Sequence, residues 1–417
     1  MKKKLLTLLV FLLTATAVFG KKMTLDNMLD TVSRSSYRID LWRKQMELHR
    51  DKEKYYKLDD WNGVQTSVTS QYSRQEDAWQ TTGRAQWGPL YIEGTKDYDN
   101  DDYATVGVEK NIKDLLYSKN KSELKKLDYS KKVDELTYKT DLELLKTNLI
   151  TLYVEYKNNE LELRVKDSGI KTLQLEREKL TKSYELGAVS KIELDTLLMN
   201  LQNLNLETLL LKDNLAKIRE EFRYVYGIDT GKAELADISA KKVPYEQLTR
   251  RYGLLDLQKK QLQKEITKEN IKYLKYDDKM PDLTVGLSRD TKNNENRVSL
   301  TFSKRFLDYN LDLEQEKLDL DQQEISYRQA WNENEAEKRK ILYNLANYEN
   351  TWLVNKNKAD LESKNYEIKK LEHQNGKSTY LDVMESFNDY LTYRITAEKA
   401  RNSLSGYIYE LKVKGEE

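Results

Sequence analysis

Leu197, Leu201, Leu204, Leu211, Leu215, Ile218, Phe222 and Val225 recur at steps of 4, 3, 7, 4, 3, 4 and 3, a heptad seam that requires partner helices. Proline stands only at 89, 244 and 281, which leaves 90–243 and 282–417 free of the strongest helix breaker. The pattern predicts helices over about 24–58, 113–186, 191–226, 245–276, 308–373 and 380–413. As one helix, 113–186 would extend about 110 Å at ~1.5 Å per residue, with Gly169 marking an expected irregularity. Elsewhere the period falls to two. In "DLTVGLS", Leu283, Val285 and Leu287 alternate with Thr284, Gly286 and Ser288; in "RVSLTFSKRF", Val298, Leu300 and Phe302 alternate with Ser299, Thr301 and Ser303. With the polar "RDTKNNEN" between them, strands over about 282–289 and 297–306 read as a hairpin. "VQTSVTSQYS" at 64–73 and "YATVGVEKNI" at 103–112 predict two more, separated by an insert at 75–102 rich in Trp, Gly and Asp that is expected as an external loop.

These pieces form a duplication. "DLWRKQM" at 40–46 matches "DLQKKQL" at 256–262, "VGVEKNIKD" at 106–114 aligns with "LTFSKRFLD" at 300–308, and "GAVSKIEL" at 187–194 aligns with "GKSTYLDV" at 376–383. The offsets, 216, 194 and 189, fall steadily, as expected if the first half carries the longer loops. The first repeat spans 21–230, and a linker with the second repeat spans 231–417. Each half reads helix, strand, strand, long helix, small turn, helix.

Three lysines precede an apolar run from Leu5 to Phe19, so 1–20 reads as a secretory signal peptide cut after Gly20; the run is short for a membrane span. Its removal takes away three Lys and no acid and moves the formal charge from +1 to −2, which argues against nucleic acid as a partner. Without any Cys there is no disulfide framework, thiolate metal site or lipid-bearing Cys. Charged residues make up 34% and hydrophobic ones only 38%, a balance that suits long helices packed along narrow seams. His49 and His373 stand in separate regions with no phosphate-binding loop, so neither catalysis nor a cofactor is expected, and surface or seam histidines are the simpler reading.

One face of each strand is Ser, Thr, Gly and charged, and the other is Val, Leu and Phe, which suits a wall with lipid outside and water inside. Four strands cannot close a barrel, but three copies would supply twelve. Trp61, Trp79, Trp87 and Tyr91 fit either an aromatic girdle or an exposed loop. The rival reading is a secreted or periplasmic coiled-coil scaffold or adhesin with soluble hairpins and no channel activity.

"MTLDNMLD" at 23–30, "MPDLTVGLS" and the paired turns "YELGAVSKIELD" (184–195) and "HQNGKSTYLDVM" (373–384) resemble the TolC-like outer-membrane efflux family over nearly all of the mature chain. The resemblance implies a mainly α fold with a small β part: a homotrimeric, twelve-stranded barrel in outer-membrane lipid, continuing into a periplasmic α-helical coiled-coil tunnel. It further implies an exit duct of a tripartite efflux or type I secretion system, served by a periplasmic adaptor (membrane fusion protein) and an inner-membrane efflux pump or ABC exporter. Under it, Leu186, Gly187, Ala188, Val189, Ser190 and Glu193, with Asn375, Gly376, Lys377, Ser378 and Thr379, form the tip turns where the adaptor docks. Asp382 and Glu385, three apart and so on one helix face, match the carboxylates that ring the periplasmic constriction. The first turn has Glu193 in place of Asp382 but Thr196 in place of Glu385, and Ser378 stands where some members place a locking Arg. Independently of the resemblance, Gly187 and Gly376 suit helix reversals at positive φ, and Ser190 and Thr379 are placed to cap the outgoing helices.

Overall fold

A computed structural model of the chain describes residues 22–35, 37–75, 77–97, 102–231, 233–240, 243–305 and 309–415, so the leader expected at 1–20 lies outside the described residues. The chain is mainly α-helical with one small antiparallel sheet. In order, the elements are α1 (Leu25–Ser35), α2 (Tyr37–Leu58), β1 (Val64–Ser73), β2 (Ala78–Trp87), β3 (Leu90–Asp97), β4 (Tyr103–Asn111), α3 (Ile112–Tyr117) and α4 (Lys119–Glu185). After them come α5 (Lys191–Tyr226), α6 (Tyr245–Thr249), α7 (Leu254–Lys279), β5 (Asp282–Asp290), β6 (Glu295–Ser303), α8 (Leu311–Gln374) and α9 (Tyr380–Lys414).

Two compact units result, and each draws on both of the expected repeats. One comprises residues up to Ile39, Asp141–Gly253 and Glu333–Glu417; the other comprises Asp40–Thr140 and Leu254–Asn332. The first unit holds two extended cores. Leu149, Ile150 and Tyr153 of α4 pack with Phe222 of α5 and with Met28 and Val32 of α1. The segment expected as the inter-repeat linker is pinned there: Tyr153 donates to the Ala236 carbonyl at 2.6 Å, and the buried Lys157 ammonium donates to the Leu235 carbonyl at 3.1 Å and pairs with Asp237 at 2.9 Å. The second core gathers Leu173 and Leu180 of α4, Leu197 and Leu201 of α5, and Val383, Met384, Phe387 and Leu391 of α9.

Several expectations change at this level. Gly169 does not interrupt α4; a Cβ there would lie 3.0 Å from Leu391 Cδ1, so the glycine lets α9 approach closely. The seam on α5 buries Leu197, Leu201, Leu204, Leu211, Ile218 and Phe222, with Thr208 filling its seven-residue gap, but Val225 is exposed. Ser118 separates α3 from α4 and accepts from the Lys121 N–H at 3.2 Å.

The largest change concerns the insert. Four strands were expected, but the sheet has six, in the order β1-β2-β3-β4-β5-β6. The segment expected as a loop supplies β2 and β3, joined through Gly88 at φ 59° and Pro89, the positive φ that a two-residue hairpin favours. β1 pairs with β2 along all ten residues from Val64↔Trp87 to Ser73↔Ala78, and β3 pairs with β4 from Leu90↔Val108 to Thr95↔Tyr103. β1 and β4 are therefore not neighbours, and a twelve-strand count that assumes four strands per chain no longer follows.

Candidate functional site

The sheet presents two chemically opposite faces. Val64, Trp87, Leu90, Val108, Leu287 and Val298 form one continuous cross-strand row. Ala85, Ile92 and Val106 lie in the next row on the same side. These apolar residues face outward: Val68 is 75% exposed, Ile92 59% and Val298 77%. Polar residues occupy the more covered face, where Thr95 and Asp290 are each only 5% exposed. There Arg84 binds Glu109 at 2.6 Å, reaches Glu93 at 3.7 Å and lies 4.2 Å over the Tyr91 ring, while Arg297 meets Asp290 at 3.3 Å. Soluble sheets bury the apolar face and wet the polar one; this sheet does the reverse.

Aromatic rings mark both ends of the apolar face. Trp61 and Trp87 meet edge to face at 5.1 Å beside the Val64 end of β1, and Tyr72 and Trp79 meet at 5.4 Å at its other end. From Val64 to Tyr72 the strand rises about 27 Å at ~3.4 Å per residue, or about 20 Å once tilted by ~40°. That separation is comparable to the apolar band of an outer-membrane barrel, about 25 Å. Tyr91 is not part of this pattern, since it lies on the polar face against Gly107. Both outer strands are open: β6 is exposed along its whole length and β1 along all but its last residue. Among the described residues no helix is long and apolar enough to cross a membrane.

In the other unit, the two helix reversals are built alike. After α4, Gly187 has φ 75°, and the Gly187 and Ala188 N–H groups donate to the Tyr184 and Ser183 carbonyls at 2.9 and 2.8 Å. After α8, Gly376 has φ 70°, and the Gly376 and Lys377 N–H groups donate to the His373 and Glu372 carbonyls at 2.9 and 2.8 Å. This pairing of bonds satisfies the last free carbonyls of each helix and requires the left-handed backbone that glycine tolerates. Each outgoing helix then opens with a capping box. Ser190 Oγ accepts from the Glu193 N–H at 3.3 Å, and the Glu193 carboxylate accepts from the Ser190 N–H at 3.4 Å. Thr379 and Asp382 repeat the arrangement at 3.3 and 2.9 Å, with the Thr379 hydroxyl also donating to Asp382 at 2.8 Å.

Sequence reasoning therefore placed Ser190 and Thr379 correctly as caps but did not find the partner role of Glu193 and Asp382. The Thr379 hydroxyl and backbone N–H hold the Asp382 carboxyl below its usual range. Because folding depresses that pKa, the stabilisation is complete above the ordinary carboxylate value and is lost only as pH falls through the lowered one. Thr379→Ala should cost about 1 kcal/mol locally. Amide exchange at 375–383 should accelerate, and exchange unchanged from the parent would contradict the cap.

Both turns border one cleft of about 520 Å³, lined by Ala188, Val189 and Glu193 from the first and Gly376, Ser378 and Tyr380 from the second. Leu186, at the first apex, is 84% exposed, and Lys377 and Asn375 at the second are exposed as well. Val189 instead packs on the apolar core beneath. Ser378 bonds inward, its hydroxyl donating to the Lys369 carbonyl at 3.2 Å while its own carbonyl lies 3.1 Å from His373 Nδ1. Tyr380 is buried against His373, and burial pushes its phenol pKa up. Glu385 is exposed on α9 and takes no part in the cap. An ion pair missed at the sequence level, Lys370 to Glu176 at 2.7 Å, joins the two helices that lead into the turns. Nothing in the local sequence marks it, because its partners lie 194 residues apart.

Comparison with protein-family models and with curated proteins finds no match. Solved structures do match along almost the whole chain. The outer membrane protein VceC of Vibrio cholerae is 12% identical with a TM-score of 0.67, covering 94% of each chain. The CmeC outer membrane channel of Campylobacter jejuni is 12% identical with a TM-score of 0.71, covering 94% of this chain and 85% of that one. The open state of the MtrE outer membrane channel of Neisseria gonorrhoeae is 11% identical with a TM-score of 0.69, covering 94% and 88%. By its elements, their order and these likenesses, the chain has the TolC-like fold of outer-membrane efflux channels.

Proposed function

We propose that the chain is the outer-membrane exit duct of a tripartite efflux or type I secretion system, passively conducting what an inner-membrane pump hands over through a periplasmic adaptor. The inverted sheet carries this reading. Its apolar face is solvated only at high cost, at about 25 cal/mol per Å² of apolar surface, and lipid removes that cost. The open β1 and β6 edges have unpaired backbone groups that a second copy satisfies, and closure is how such sheets enter a membrane.

A homotrimer, the state implied by the resemblance, is supported by two unpaired helical stripes as well. Ile192, Met199 and Leu206 on α5, and Val354, Leu361 and Ile368 on α8, recur every seven residues and are exposed. Packing α5 of one copy on α8 of the next covers both stripes in a closed ring. A coiled-coil scaffold explains the stripes but not the inverted sheet. In this reading the protein resides in the outer membrane with a long periplasmic portion, and the solvent-exposed turn residues, Leu186 and Lys377 foremost, meet the adaptor.

Asp382 and Glu385 are proposed to ring the periplasmic constriction, and the capping box separates their roles. Asp382→Ala removes a cap as well as a charge, so Glu385→Gln is the cleaner probe. In planar bilayers it should raise single-channel conductance and weaken block by multivalent cations about tenfold, equivalent to about 1.4 kcal/mol of lost attraction. Conductance and block identical to the parent would remove Glu385 from the constriction. In place of the family's basic residue at Ser378, the Lys370–Glu176 pair is proposed as the link that holds the turns closed.

A further inference from the structure

Register makes the β2–β3 hairpin a separable module of the wall. Val64 of β1 and Val108 of β4 already lie in one row, through Trp87 and Leu90, with their side chains on the same side. Inserting two strands between them preserves both the antiparallel alternation and the apolar face. It also keeps the strand number even, so β6 of one copy still meets β1 of the next in antiparallel sense. The hairpin is built into the sheet and does not lie across it. Its outward residues Trp79, Trp87 and Ile92 continue the exposed apolar face, and its inward Arg84 is held by Glu109 of β4 at 2.6 Å. A hairpin folded out of the wall would lose that ion pair and the backbone bonds on both flanks.

We propose that the hairpin widens the duct: three copies of the six-stranded sheet close an eighteen-stranded barrel whose lumen admits bulky hydrated cargo, including polypeptide with secondary structure. This rests on the trimeric-duct reading above. Barrel diameter grows linearly with strand number. At ~4.8 Å between strands and ~40° tilt, eighteen strands give a backbone diameter of about 36 Å, against about 24 Å for twelve. After about 10 Å for inward side chains, the lumen is about 26 Å wide, and the barrel is not the step that excludes large solutes.

Electron cryomicroscopy of the full chain in lipid nanodiscs tests the strand count, and eighteen strands are expected. A twelve-stranded wall, whether the hairpin lies outside it or only two copies close it, overturns the inference while leaving a channel. Neutral polyethylene glycols added only on the loop side of a planar bilayer test the width without involving the tip. The largest polymer radius that enters should fall by about half, as the lumen narrows from about 26 to about 14 Å, in a variant lacking Ala78–Asp97, in which β1 pairs directly with β4. An equal cut-off in the two proteins overturns the inference; if the variant fails to assemble, the strand count of the full chain decides. A protein that forms no channel and no closed wall rejects the duct reading itself.

Discussion

Arginine at both Ile92 and Val106 should abolish stable insertion of this chain into the outer membrane. The two residues are directly opposed on β3 and β4, lie on the exposed apolar face and are 59% and 51% exposed. A charge on the lipid face of a barrel costs up to about 2–4 kcal/mol, most at the membrane midplane, so the pair costs up to about 4–8 kcal/mol per copy before their mutual repulsion. The upper end of that range is comparable with what holds an ordinary domain together, about 5–15 kcal/mol. The control lies on the opposite face, three positions along in register from Thr66, which shares the row of Ile92 and Val106: Thr69→Arg places the same charge on the polar face of β1 and should insert normally. Flotation of membranes with the assembled protein distinguishes the outcomes. If Ile92→Arg/Val106→Arg inserts as well as Thr69→Arg, the outward face does not meet lipid.

Phe387→Ala should have the largest effect on the turn-bearing end. Phe387 is buried between α4 and α9, its ring 5.1 Å from Tyr366 and beside the space left by Gly169. Removing an aromatic side chain from such a site costs about 3–5 kcal/mol through lost transfer energy and an unfilled cavity. Amide exchange across 165–204 and 380–395 should accelerate together, because these segments share one core. Leu381→Ala, on the same helix but exposed, should leave exchange unchanged. Equal effects of the two substitutions on exchange would mean that the core beneath the turns does not hold them.

Helices were readable where physics is local. Proline-free tracts, the α5 heptads and the two Gly-containing turns each depend on residues within a few positions, and each appears close to where the sequence puts it. The hairpin at 78–97 was not readable in the same way. On its outward side β2 carries Trp79, Thr81, Gly83, Ala85 and Trp87, so weakly apolar that the period-two signal fails; its strand character comes from pairing with β1 and β3. Asp382 shows a different limit. Spacing puts it on one helix face near the turn, but its carboxylate is also engaged by Thr379, three residues back, a local bond that the spacing to Glu385 does not signal. The Lys370–Glu176 pair was beyond reach, since only the packing of α8 on α4 brings those residues together.

Closure of the open sheet edges by copies of this chain within a membrane underlies the proposed duct. Its most direct test is to separate outer membrane, inner membrane and soluble fractions of cells expressing the full chain, then measure the mass of the detergent-extracted protein. Three copies per particle, recovered from the outer membrane and only with detergent, are expected. A soluble monomer in the periplasmic or external fraction would contradict it.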